Sequence, residues 1–206
     1  MQRVLRRVQI PALVGIAVIV VALALGCRED APTFASAVVE PPSRMPEINL
    51  VAGDGQPFRL SDQQGKVVVV YVGYTFCPDL CPLAMSTLGN AYDRLPTEVR
   101  DGVQVVMITA DPARDTPEVM AKYVNYFDPS FTGVSGDLAT VLEALASWGI
   151  HPERSATGAN GSYFVSHPTR MYVFNRDGLL RLQIAHDLEP EFVASDLELV
   201  WREGND

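Results

Sequence analysis

Two cysteines, Cys77 and Cys81, lie in YVGYTFCPDLCPLAM (71–85), each followed by a proline, Pro78 and Pro82. Positions four apart on a helical turn, or on a turn running into a helix, share one face. Two sulfurs placed there can close a disulfide, exchange one with a partner, or hold a metal ion together. A disulfide closing so short a loop stabilises little, and a chain of 206 residues can bury a core without such staples. The contest is therefore between a redox couple and a metal site. The spacing is not Cys-x-x-Cys, so the usual thioredoxin redox signature is absent.

A third group enters with His167 in GSYFVSHPTRMYVF (161–174), one of three histidines in the chain. His151 precedes a proline in a polar loop and His186 follows a strand pair. Alone, a histidine is more often a surface or core residue than a ligand. Two thiolates with one imidazole suit copper, because soft thiolate favours Cu(I) and imidazole accommodates Cu(II). Zinc takes the same ligand types: a closed zinc site wants a fourth protein ligand, for which the sequence offers no obvious residue, while a catalytic zinc with water in the fourth place fits the same ligand count.

The elements that would position these groups alternate between strand and helix. KVVVVYV (66–72) and VQVVMIT (103–109) are continuously apolar and β-branched, as strands buried on both faces must be. Apolar positions at helical spacing run from Leu83 to Leu95. Thr116-Pro117-Glu118 and Asp137 open helices reaching about Phe127 and Trp148. Segments 48–51 and 57–60 form a hairpin, 131–134 a short strand, and 169–175 with 179–185 a second hairpin. Glu189-Pro190-Glu191 starts the last helix.

The order βαβαβ, helix, hairpin, helix predicts an α/β fold with a mixed central sheet and flanking helices, the thioredoxin-like architecture. There the cysteines sit where a strand turns into a helix, at the sheet edge where ligand sites of open α/β sheets lie. The helix dipole at such a turn favours thiolate. In thioredoxin-like folds a proline, often cis, and a threonine face the cysteines. Pro168 and Thr169 stand in that place, which brings His167 across from Cys77 and Cys81.

The N-terminus bears on compartment. Arg3, Arg6 and Arg7 precede an uncharged run from Val8 to Gly26, the pattern of an export signal or membrane anchor. It ends LALGC, which resembles a bacterial lipoprotein signal with Cys27 as the lipidated residue. The alternative is an uncleaved anchor. Residues 1–27 are thus read as signal or anchor, 28–46 (four prolines) as a flexible or extended linker, and 47–206 as the functional domain, on the extracytoplasmic side of a bacterial inner membrane. After Cys27 the chain carries 13 basic against 25 acidic residues, a net of −12. A surface that acidic argues against nucleic acid as a partner.

Three segments together, GYTFCPDLCP (73–82), ITADPARDTPE (108–118) and YFVSHPTRMYVFNRDG (163–178), resemble the Sco/SenC family of membrane-tethered copper-binding proteins with a thioredoxin fold. The likeness extends through essentially the whole domain from Glu47. The resemblance implies Cys77, Cys81 and His167 as copper ligands. It implies delivery of copper to the binuclear copper centre of cytochrome c oxidase, reduction of that centre's cysteines, or both. The first makes the chain a metallochaperone rather than an enzyme with turnover; the second makes it a thiol–disulfide oxidoreductase working through Cys77 and Cys81. Its expected partners are the copper-bearing subunit of the oxidase and a thiol reductant, since thiols outside the cytoplasm tend to oxidise. A peroxidase-like relative is a third reading, for which no other thiol in the domain qualifies.

Where the family commonly has an acid before the histidine, this chain has Ser166, and the stretch from His151 to Ser162 lacks acids found in some relatives. Asp111, Arg114 and Asp115 are expected to fix a turn rather than bind metal. Asp79 is either an acid supporting the ligands or a solvated loop residue, and Met85 and Met171 are expected in the core.

Overall fold

The computed structural model describes residues 33–159 and 161–203. The expected signal, the apolar run and Cys27 lie outside them. Eight strands form one sheet: β1 (Ala37–Val38), β2 (Asn49–Ala52), β3 (Pro57–Arg59), β4 (Val67–Gly73), β5 (Val103–Thr109), β6 (Thr132–Ser135), β7 (Met171–Phe174) and β8 (Leu180–Ile184). The spatial order is β1-β8-β7-β4-β5-β6-β2-β3. The helices are α1 (Leu80–Tyr92), α2 (Thr97–Asp101), α3 (Pro117–Asn125), α4 (Leu138–Ala146) and α5 (Pro190–Arg202).

β4 lies at the centre, parallel to β5 and antiparallel to β7. All seven of its residues are buried, which is why its sequence is an unbroken apolar run rather than an alternating one. β5 continues in parallel into β6, and β7 and β8 form the expected hairpin, with Gly178 at φ 73° in the turn. α1 and α5 pack against one another beside the sheet. This is the mixed-sheet, helix-flanked architecture that the element order predicts.

Local signals explain the helix starts. Thr116 Oγ1 accepts from the Val119 N–H with Pro117 in the first position of α3, and the Asp137 carboxylate accepts from the Thr140 N–H at the head of α4. α1 differs from expectation. It begins at Leu80 rather than Leu83, so Cys81 and Pro82 lie within its first turn. A proline costs little there, because first-turn N–H groups have no intrahelical partner. Leu83 is correspondingly half out of the core, 46 % exposed.

The structure also differs over the stretch read as a linker. Residues from Phe34 onward belong to the folded unit, so it begins ahead of Glu47. β1 runs antiparallel to β8, with Ala37 opposite Gln183. The Met45 N–H donates to the Gly178 carbonyl, and the Leu180 N–H to that of Ser43. The buried Asp196 carboxylate on α5 accepts from the N–H groups of Ala35 and Ser36 at 2.8 and 2.9 Å. This strap enters at the sheet edge where β4 ends, since β1 opposes β8, β8 opposes β7 and β7 opposes β4. It then runs toward the other edge.

Candidate metal centre

The cysteine loop leaves the C-terminal end of β4 and is held at its root by Asp115. That buried carboxylate accepts from the Thr75 N–H at 3.1 Å, the Thr75 hydroxyl at 2.6 Å and the Thr109 hydroxyl at 2.8 Å. Three donors satisfy a group that could not otherwise be buried. Burial still raises its pKa, against the lowering effect of those hydrogen bonds.

Cys77 follows, partly exposed, and the Cys81 N–H donates to its Sγ at 3.4 Å. Cys81 is fully buried in the first turn of α1. Its sulfur lies against Gly73, the last residue of β4, where a Cβ would come within 2.8 Å of it. Burial pushes the Cys81 thiol up to about 12, although the Tyr74 backbone amide and the Tyr71 hydroxyl favour its thiolate. The expectation that the helix terminus favours thiolate therefore does not hold at Cys81 in the metal-free chain: desolvation outweighs the dipole. A bound cation reverses that balance, because it stabilises the thiolate directly.

His167 lies four residues ahead of Met171, the first residue of β7, which pairs with Tyr71 of β4. Its Nε2 stands 3.4 Å from Cys81 Sγ. Its Nδ1 is 2.9 Å from the Pro168 carbonyl, which assigns the proton to Nδ1 and leaves the Nε2 lone pair facing the sulfurs. Burial lowers the imidazole pKa, opposed by the backbone at Pro168 and Val72, so the ring is neutral and able to ligate at neutral pH. The Tyr71 and Tyr74 rings meet it edge-on at 6.0 and 5.5 Å. Among the described residues the sole cis peptide is Glu40–Pro41, so Pro168 is trans.

The ligating atoms of Cys77, Cys81 and His167 all lie within 4.8 Å of one another. Two metal–ligand bonds of about 2.0–2.3 Å span at most about 4.6 Å, so a small inward movement of the widest corner lets all three atoms reach one ion. Two soft sulfurs and one imidazole are the donors that Cu(I) and Cu(II) accept. Above them opens a cavity of about 410 Å³ bordered by Tyr74, Cys77, Pro78, Phe164 and His167. It leaves room for ligands from another molecule.

The remaining expectations sort clearly. His151 and His186 stay outside the cluster. Met85 and Met171 are fully buried. Asp79 is exposed, makes no cap hydrogen bond and borders the cavity. Ser166 does not address the imidazole. Its hydroxyl accepts from the Glu153 N–H at 3.0 Å and its own N–H donates to the Glu153 carbonyl at 2.9 Å, tying the loop ahead of His167 together.

Sequence reasoning underestimated Asp111. It is fully buried and accepts from Arg114, from Arg154 Nη2 at 3.0 Å and from the Tyr163 hydroxyl at 3.0 Å. Arg114 also lies over the Tyr163 ring at 3.7 Å and the Phe76 ring at 4.7 Å. This network fastens the 151–166 loop to the end of β5, and so supports the approach of His167. Tyr71 and Gly73 were also missed as site residues, though both lie in the quoted cysteine segment.

Comparison with known proteins matches residues 39–202 to the family described as SCO1/SenC. A protein named as a putative copper-binding protein from Stutzerimonas stutzeri is 35 % identical over 145 residues, 70 % of this chain and 71 % of that protein. The chain spans about half the length of the mammalian mitochondrial SCO2 homologues it matches. Among solved structures, apo Sco1 from Thermus thermophilus superposes with a TM-score of 0.74 at 35 % identity, covering 83 % of this chain and 99 % of that one. Bradyrhizobium japonicum ScoI with copper bound gives 0.70 at 28 % identity, covering 77 % and 99 %.

Proposed function

The chain belongs to the SCO1/SenC family, and from that premise we propose that it is a copper metallochaperone delivering copper to the binuclear copper centre of cytochrome c oxidase during its assembly. The observation that carries this reading is the triangle itself: Cys81 Sγ and His167 Nε2 3.4 Å apart, with Cys77 Sγ within 4.8 Å of both. The copper-bound relative supports the choice of ion.

In this reading copper is cargo. Cys77 and Cys81 give up their protons as they take the ion, and His167 donates its Nε2 lone pair. Cys81 and His167 are held by β4, α1 and the Pro168 carbonyl, whereas Cys77 is partly exposed at the cavity. Thiolates of an acceptor enter through the cavity and take the ion by ligand exchange. Loading requires the dithiol, so a thiol reductant belongs to the cycle. The arginines and apolar run of residues 3–26 support tethering to the outer face of a bacterial inner membrane, with Cys27 as a lipidation site.

One observation favours a second reading. A partly exposed Cys77 beside a buried Cys81 is also the arrangement of an attacking and a resolving thiol, as a thiol–disulfide oxidoreductase needs. His167 separates the two. Copper content is measured on the fully reduced full-length chain in detergent, for the parent and His167→Ala. One tightly held copper per chain, weakened by about 100-fold or more in the variant, supports the metallochaperone. No copper retained, with a freely cycling Cys77–Cys81 disulfide, moves the protein to the oxidoreductase class. Equal affinity in parent and variant removes His167 from the ligand set.

A further inference from the structure

β4 is a run of valines interrupted by one large polar-tipped residue, Tyr71, which is fully buried. Burying a hydroxyl is costly unless it finds a partner. The partner here is Cys81 Sγ, to which the Tyr71 hydroxyl donates at 3.7 Å. Tyr71 and Gly73 point to the same face of β4, and a Cβ on Gly73 would meet both Cys81 Sγ and Tyr71 Cε1 at 2.8 Å. The Tyr71 ring also stands edge-on to His167. One residue thus touches two corners of the triangle from the protein side, opposite the open cavity.

A thiol sulfur is a weak acceptor, whereas hydrogen bonds to an ionised acceptor are roughly twice as strong as neutral ones. The hydroxyl therefore does little for the metal-free thiol and most when Cys81 is a metal-bound thiolate. Hydrogen bonding around a cysteine sulfur tunes the potential of its copper. We infer that Tyr71 is a positioning residue whose hydroxyl holds the Cys81 thiolate in the loaded protein, draws electron density from that sulfur, and biases the bound copper toward Cu(I). This rests on the proposal that Cys81 ligates copper.

Tyr123 supplies an internal control. Its hydroxyl is also buried and within electrostatic reach of both sulfurs, but it has no hydrogen-bond partner among the described residues, and it comes from α3 rather than β4.

The test uses the full-length chain in detergent, loaded with one copper, as parent, Tyr71→Phe and Tyr123→Phe. Each variant removes one oxygen and keeps the ring. The readouts are the thiolate-to-Cu(II) charge-transfer band, the Cu(II)/Cu(I) midpoint potential, and the shift of the copper–sulfur stretch in D2O. Tyr71→Phe should keep its copper, move the band to longer wavelength, lower the midpoint potential and lose part of the D2O shift. Tyr123→Phe should match the parent. Copper held by Tyr71→Phe with an unchanged band, potential and D2O shift overturns the assignment, as do equal changes in both variants. A parent that retains no copper overturns the assignment and the metallochaperone reading together.

Discussion

Gly73 and Cys81 are in direct contact: a single added Cβ at residue 73 would stand 2.8 Å from the Cys81 sulfur and 3.0 Å from Met107 Cε. Neither neighbour can retreat freely, since Cys81 and Met107 are fully buried. Gly73→Ala should destabilise the chain by about 1–3 kcal/mol, as overpacking of a core does. It should also push Cys81 off the line to His167. Denaturant unfolding and copper retention, measured together, check both effects. Wild-type values in both would mean that the end of β4 is looser than the packing implies.

The buried Cys81 thiol makes stability depend on alkaline pH in a defined direction. An unfolded cysteine loses its proton near pH 8.5, while the native Cys81 thiol is held up to about 12. Between those values the unfolded chain has released a proton that the native chain keeps. Stability of the reduced, metal-free protein should fall through this window by about 1.4 kcal/mol per pH unit from this group alone. Cys81→Ala should lose that much less. Guanidinium unfolding at stepped pH gives the two slopes, and parallel curves would contradict the assignment.

The same burial sets an order of reactivity. A neutral alkylating reagent at pH 7.5 should modify the partly exposed Cys77 well before Cys81. Mass spectrometry of partly alkylated protein identifies the site. Preferential labelling of Cys81 would reverse the roles assigned to the two sulfurs.

Asp111 balances the Arg114 guanidinium of its own turn and the Arg154 guanidinium and Tyr163 phenol of the 151–166 loop. Asp111→Asn removes the charge and keeps the shape. It should cost about 1.5–3 kcal/mol, the range for hydrogen bonds to a charged group. The 151–166 loop should also become more open to protease, because Arg154 and Tyr163 lose the acceptor that ties them to the end of β5. Limited proteolysis with and without the substitution tests this. Unchanged cleavage would place the loop's anchorage at Ser166 and Glu153 instead.

Much of the fold could be read from residues 47 onward because its signals are local. β4 and β5 are buried on both faces, and such burial leaves an uninterrupted β-branched run in the sequence. Thr116 and Asp137 announce their helices through caps that act over three residues. β1 was missed for the opposite reason. It is two residues long and exposed, and its strap is held by β8 and by Asp196, some 160 residues away. The candidate site divides in the same way. The cysteine spacing and the His167 context were visible. The burial that protonates Cys81 depends on Gly73, Tyr71 and Met107 closing in from the sheet, and no pattern along the chain displays that.

The strap has a practical consequence for any metal measurement. Because β1 starts at the edge of the sheet where β4 ends, a histidine tag fused just ahead of Phe34 would emerge at the same edge as Cys77, Cys81 and His167, offering imidazoles that compete for the ion. α5 finishes elsewhere, with Trp201 packed over Gly102 where β5 begins. An affinity handle placed after Arg202 would leave the protein from the opposite edge, away from Cys77, Cys81 and His167, and one free of histidine would add no copper of its own to the count.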